Sequence, residues 1–175
     1  YINGRFLINN PTGIENFAYG MCKAMLEKGI KFIILTPKSA IRSYDVIGFD
    51  MIKIGLFTGP LWEQIDLSFF MIGKSRDILI SFSGAGSLII KNQIITIHDV
   101  AVFQHPEWFS KTYSILYKTI TPIIARKSKA ILTVSEFSKR EITNLFGINS
   151  DKVIVTYSSP KNYSKCDLIH EQQNN

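Results

Sequence analysis

The sequence predicts an α/β fold built on a parallel sheet of about seven strands with helices on both faces, and three observations carry that reading. Short runs of β-branched and other apolar residues recur along the 175 residues, amphipathic stretches at helical spacing separate several of them, and glycines and capping residues stand at the joints. Uninterrupted apolar runs suit strands buried on both faces. Strands alternating with helices imply right-handed parallel crossovers, hence a doubly wound, Rossmann-like sheet.

The first strand candidate covers residues 1–8. After it, Ile14, Phe17, Ala18, Met21, Cys22 and Met25 fall on one face of a helix that Gly29 stops. The run 30–35, broken only by Lys31, is the next strand, and 51–56 is a weaker one. A second helix begins near Pro60, a favoured first-turn residue, and is expected to turn Leu61, Ile65, Phe69 and Ile72 inward. Strands at 78–82 and 94–97 follow. A third helix comes after Ser110, with Tyr113, Leu116, Tyr117, Ile120 and Ile124 on one face; Pro122 lacks a backbone N–H and is expected to kink it. Strand 131–134 leads into a helix over Glu136–Phe146, capped by Ser135 and stopped by Gly147, and Val153–Val155 ends the sheet. Residues 158–175 lose all periodicity, so 1–157 reads as one domain and the rest as a linker or the start of a second.

Composition narrows the function classes. With 46% hydrophobic and 19% charged residues the chain is globular rather than disordered. Its apolar runs fall far short of the roughly 18 to 20 residues that span a bilayer. No basic leader precedes the first strand, so no signal peptide is expected, and Tyr1 in place of a methionine points to a trimmed start. Two cysteines, Cys22 on a core-facing helix position and Cys166 in the polar tail, speak against a disulfide framework and for a cytoplasmic location. The net charge of +6 suits nucleic acid, an anionic membrane or phosphorylated ligands. The densest basic cluster, Arg126, Lys127 and Lys129 with Lys139 and Arg140 nearby, lacks the recognition helices and stacking aromatics of nucleic-acid modules. It reads as a solvated face or as a peripheral contact with anionic lipid on the inner face of the cell membrane.

Ligands of doubly wound sheets bind outside the carboxyl ends of the strands, so the residues just after each run are the ones to weigh. Thr12, Gly13 and Ile14 follow the first strand and open a helix, where a glycine lets a phosphate approach free N–H groups; Pro11-Thr12-Gly13 also makes an ordinary turn and cap. Gly84-Ala85-Gly86 is a poor dinucleotide loop, because another strand rather than a helix follows it; it serves the approach of a ligand or domain, with Ser83 able to bond a hydroxyl. His98 and Asp99 stand at the end of an apolar strand. His98 there could contact a sugar hydroxyl or phosphate with Asp99 orienting its ring, or the pair could be structural, or part of a metal set that needs further ligands. His105 and Trp108-Phe109 read as packing for the loop that follows. Ser135 and Glu136 open the last helix, where capping accounts for Ser135 and ligand contact is a secondary role. Nucleophile elbows, zinc-ligand spacings and Walker loops are not found in the sequence.

Taken in order, INGRFL (2–7), PTGIENFAYGM (11–21), ITIHDVAVFQHPEWFS (95–110) and ILTVSEFSKREI (131–142) resemble the N-terminal domain of glycosyltransferase family 4 enzymes of the GT-B fold, over residues 1–155. The resemblance implies a retaining transferase of two Rossmann-like domains facing across a cleft, which moves a sugar from a nucleotide-sugar donor to a polysaccharide, lipopolysaccharide or glycolipid acceptor. It implies no metal or other cofactor. Gly13 would meet the donor diphosphate through its backbone, His98 the transferred sugar or its phosphate, and the loop 99–110 the acceptor. The departing phosphate would take the acceptor's proton, with electrostatic preorganisation carrying much of the acceleration. Two departures stand out. Glu15 brings a negative charge to the diphosphate site unless it turns to solvent, and Ser158-Ser159-Pro160 replaces the usual Asn-Gly. The family's C-terminal half is not in the sequence, so the chain by itself is expected to be inactive and to need its own C-terminal domain as a partner. Two other readings stay open: a non-catalytic module that binds a glycolipid or anionic membrane through Arg126, Lys127 and Lys129, and an NAD-binding domain built on Gly84–Gly86.

Overall fold

The computed structural model of the chain describes residues 1–39, 41 and 44–157; the linker expected at 158–175, with Ser158-Ser159-Pro160 and Cys166, lies outside the described residues. Seven strands, β1 (Ile2–Asn3), β2 (Ile34–Thr36), β3 (Met51–Lys53), β4 (Leu79–Ser81), β5 (Gln93–Thr96), β6 (Ala130–Thr133) and β7 (Val153–Val155), form a single sheet ordered β3-β2-β1-β4-β5-β6-β7. Every neighbouring pair is parallel, with registers such as Ile2 against both Ile34 and Ile80. This is the doubly wound α/β architecture, with its topological switch between β1 and β4.

Consecutive residues of a strand feed opposite faces. Ile34 packs with Ile2, Phe6, Ala18 and Cys22 under α1 (Gly13–Glu27), whereas Leu35 packs with Trp62, Leu67 and Met71 on the other side. Burial pushes the Cys22 thiol up to about 12, which keeps it protonated inside that core. A third cluster joins Ile95, Ile97, Ile131 and Val153 of the second half of the sheet to Ile120 and Ile124 of α5 (Lys111–Lys127) and to Ile142 and Phe146 of α6 (Glu136–Phe146). Ser110 and Ser135 cap these two helices by accepting from the N–H of Tyr113 and Ser138, and Gly147 ends α6 in the left-handed conformation at φ 60°. A short helix, α4 (Ala101–Gln104), comes before α5, and α5 continues through Pro122.

Two elements depart from the expected pattern. The run 1–8 gives only two residues of strand before a 3-10 turn, Arg5–Ile8, because the chain bends at Gly4 against β2: a Cβ there would lie 2.5 Å from Ile34 Cγ2. The helix expected near Pro60 is divided into α2 (Gly59–Trp62), a π turn over Glu63–Leu67, and α3 (Ser68–Met71). Its inward face is Trp62, Glu63, Leu67, Ser68 and Met71, while Leu61, Phe69 and Ile72 are exposed. The wide turn resets the helical phase, and a buried charge at Glu63 takes a position that apolar periodicity assigns to solvent.

Candidate active site

At the carboxyl edge of the sheet, beside the switch point, lies a hollow of about 360 Å³. Arg5 comes from just beyond β1, Ser83 and Gly84 from beyond β4, and Ile97, His98 and Asp99 from beyond β5. Ile14 and Glu15 line it from the start of α1, and Phe109, Tyr113, Tyr117 and Thr121 from the segment entering α5 and from α5 itself.

Beneath the hollow is a buried polar network. Arg5 Nη1 lies 2.7 Å from Glu63 Oε2, with the carboxylate wholly buried and the guanidinium side chain 13% exposed. Asn3 Nδ2 donates to Glu63 Oε1 at 2.7 Å, and Arg5 Nη2 donates to the Tyr117 hydroxyl at 3.3 Å. Burial pushes the Glu63 carboxyl up; Arg5, Asn3 and the backbone of Ala85 and Gly86 favour its charged form. Burial opposes the charge on Arg5, but the attraction of Glu63 and Tyr117 prevails and its pKa is raised. A lone buried charge of either sign would be costly, so the two groups are held as a pair.

The same carboxylate explains a glycine. Gly84 sits at φ +79°, and a Cβ there would fall 2.1 Å from Glu63 Oε1. Gly86 is likewise pressed against Gln93 Oε1, at 2.8 Å from a built Cβ, and Gln64 bonds both the Gly86 carbonyl and the Leu88 N–H. Packing and hydrogen bonding therefore account for the Gly84–Gly86 loop. It leads to β5 rather than to a helix, so it lacks the anion-facing helix start that an NAD-binding loop requires.

His98 is half-buried, its ring edge-on to Phe17 of α1 at 5.1 Å between centroids. Its Nε2 lies 3.2 Å from the Phe82 carbonyl. A carbonyl only accepts, so Nε2 carries the proton in that bond and Nδ1 is the acceptor of the neutral ring. The orienting partner is thus the Phe82 backbone and not Asp99, whose Oδ1 accepts from the Ala101 N–H at 2.8 Å and shapes the next turn. Burial lowers the His98 pKa from its ordinary 6.5, against the Phe82 carbonyl and the Asp99 and Glu15 carboxylates, which act in the other direction. The unfolded chain then gains a proton near pH 6.5 while the folded chain resists to lower pH, so stability is lost as pH falls between those two values. We expect stability to urea to fall more for the wild-type protein than for His98→Gln between about pH 7.5 and pH 5. Equal losses in the two proteins would clear His98 of that role.

The remaining sequence-derived residues divide. Thr12 and Gly13 are exposed at the start of α1, outside the hollow that Ile14 enters. Glu15 does not turn to solvent: it is 8% exposed and accepts from Asn9 Nδ2 at 3.1 Å and from the Thr12 hydroxyl. Ser135 caps α6 and Glu136 is exposed in its first turn, neither of them lining the hollow. Arg126, Lys127 and Lys129 end α5 and precede β6, at the opposite rim of the sheet; Arg126 Nε bonds the Phe146 carbonyl and Lys127 Nζ that of Leu88. His105 stacks on Trp108 at 4.1 Å with both rings exposed, whereas Phe109 stacks on Tyr113 against the hollow. Among the described residues no three His, Cys, Asp or Glu side chains gather as a metal site, and no helix is long and apolar enough to cross a membrane.

A family model described as Glycosyltransferase Family 4 matches residues 11–158, most of the chain. The chain belongs to glycosyltransferase family 4. It is similar to the O-antigen chain mannosyltransferase RfbU of Salmonella typhimurium, with 28% identity over 85 residues, 49% of this chain and 23% of that protein. It is also similar to the O-antigen chain mannosyltransferase B of Escherichia coli, with 31% identity over 67 residues, 38% of this chain and 18% of that protein. The matched stretches span less than a quarter of either relative's length. In this member of family 4 the hollow is lined by Arg5, Glu15 and His98 from the motif stretches and by Ser83 and Tyr117 from outside them, with Glu63 beneath it paired to Arg5.

Proposed function

We propose that the chain is the acceptor-side lobe of a retaining sugar transferase that moves a hexose from a nucleotide-sugar donor to a saccharide or lipid-linked saccharide. The observation that supports it most is the placement of His98, neutral and held by Phe82, over a hollow at the switch point of the sheet. The names of the two relatives point to mannose as the sugar and to an O-antigen chain as the acceptor. A second domain would face the carboxyl edge and hold the nucleotide, with the donor's phosphates reaching the rim near Gly13. No metal is required in this reading, because the departing phosphate takes the acceptor's proton and oriented dipoles stabilise the developing charge. The cytoplasm, beside the inner face of the membrane, is the expected setting.

The test is sugar transfer by the full-length protein from a panel of GDP- and UDP-sugars. Loss of one preorganised contact to the reacting sugar costs about 100-fold in kcat, which is the drop expected for His98→Ala. The 175-residue chain alone is expected to transfer nothing. A full-length His98→Ala protein as active as the wild type would remove His98 from the chemistry, and turnover by the short chain above its own His98→Ala control would end the two-lobe reading.

A further inference from the structure

The residues that line the hollow carry a set of buried polar atoms that the protein does not satisfy. Ser83 Oγ, Thr96 Oγ1, Thr121 Oγ1 and Arg5 Nε have no hydrogen-bond partner, and the three hydroxyl residues are 3%, 4% and 8% exposed. Groups buried in this way each forfeit on the order of 1 to 3 kcal/mol unless something bonds to them. All four belong to residues that line one hollow, beside the stacked rings of Tyr113 and Tyr117 with centroids 4.1 Å apart.

Charge decides which ligand fits. Arg5 is the cation of the lining and Glu63 already neutralises it, while Glu15 and Asp99 add two carboxylates. A phosphate placed there would meet net negative potential in a partly desolvated site. His98 adds to the discrimination: its Nε2 proton is given to Phe82, so the neutral ring has an acceptor to offer and no proton. A sugar hydroxyl can donate to it; a phosphate oxygen cannot. Tyr113, whose hydroxyl burial and the neighbouring Tyr117 push up to about 12, stays neutral as well.

We propose that this hollow seats an uncharged sugar ring, whose hydroxyls bond Ser83, Thr96, Thr121 and His98 and whose apolar face lies against Tyr113 and Tyr117, and that Glu15 and Asp99 keep phosphates at the rim. The proposal rests on the sugar-transfer reading and names the residues that select the ring. A pyranose has an apolar C–H face and a rim of hydroxyls that both donate and accept, which matches a lining that combines aromatic rings with isolated hydroxyls. Its size suits a volume at the lower end of small-ligand pockets, about 300 to 1,000 Å³.

Saturation-transfer NMR on the full-length protein tests this with methyl glycosides of mannose, glucose, galactose and N-acetylglucosamine as uncharged probes and inorganic pyrophosphate as competitor. At least one glycoside is expected to bind, pyrophosphate to leave it in place, and Ser83→Ala and Thr121→Val each to weaken it about 3- to 10-fold, the usual range for one lost neutral hydrogen bond. Glu15→Gln, which removes a charge and keeps the shape, is expected to let pyrophosphate compete. Thermal melting identifies any variant that fails to fold, with Thr96→Val as the alternative, expected to weaken binding to the same extent. Displacement of the glycoside by pyrophosphate from the wild type, equal binding by wild type and both hydroxyl variants, or no binding of any glycoside overturns the proposal. Sugar transfer measured on the same proteins separates the two readings. Transfer with unchanged donor and acceptor KM values in Ser83→Ala and Thr121→Val defeats the proposal and spares the transferase, whereas glycoside binding without any transfer defeats the transferase and spares the sugar seat.

Discussion

Replacing Arg5 by methionine is expected to cost about 3 to 5 kcal/mol of folding stability, the range for removing one member of a buried ion pair. The volume lost is small; what matters is the partner left behind. Glu63 is wholly buried, and without the guanidinium it keeps only Asn3 and backbone dipoles against the desolvation of its charge. In a domain of this size the change corresponds to a fall in Tm of roughly 10 °C. The sign of its pH dependence is diagnostic. Loss of Arg5 raises the folded-state pKa of Glu63 further above its unfolded value, so the deficit is greatest at alkaline pH and shrinks as pH falls through that raised pKa. Adding Glu63→Gln, which removes the stranded charge and keeps a donor and an acceptor, should restore part of the loss. A deficit independent of pH, or a double variant worse than the single, would show that the pair is not what Arg5 maintains.

Gly84→Ala is expected to be as damaging, at about 4 kcal/mol or more. The left-handed backbone at φ +79° accounts for roughly 1 to 2 kcal/mol of that. The remainder comes from a methyl group driven to within 2.1 Å of Glu63 Oε1, which must move and break its bonds to Arg5 and Asn3. Gly147→Ala is the matched control. Gly147 also has positive φ, at +60°, but a Cβ there meets nothing within 4 Å, so only the backbone cost applies. Denaturant midpoints for the two variants should therefore differ clearly. Equal losses would mean that Glu63 yields its place without penalty.

The sheet was legible in the sequence because its strands are buried on both faces: Ile34 and Leu35 serve opposite cores, so neither position could be polar. Periodicity misplaces the inward face of the helix near Pro60, since it assumes a constant repeat and the π turn shifts that face onto Trp62 and Glu63. His98 and Ser83 could be found as polar residues ending apolar runs, a local signal. Arg5 and Glu63 could not, because they are 58 residues apart and each alone reads as a surface charge. Tyr113 and Tyr117 were visible as an inward helix face, yet spacing does not distinguish a core from the wall of a hollow. Asp99 is a different case: adjacency to His98 offered it as the group orienting the ring, whereas its Oδ1 accepts from the Ala101 N–H and the His98 ring bonds the Phe82 carbonyl.

Strand β1 occupies the middle of the sheet although it stands first in the chain, bonded on one side to β2 and on the other to β4. Its second edge has no neighbour until Ile80 has been synthesised, and Arg5 meets Tyr117 only across 112 residues. Pairings so distant in sequence are slow, because loop closure must be completed before the contacts reward it. On a ribosome this strand must wait with one side bare, and the cleft can take shape only after Tyr117 has emerged.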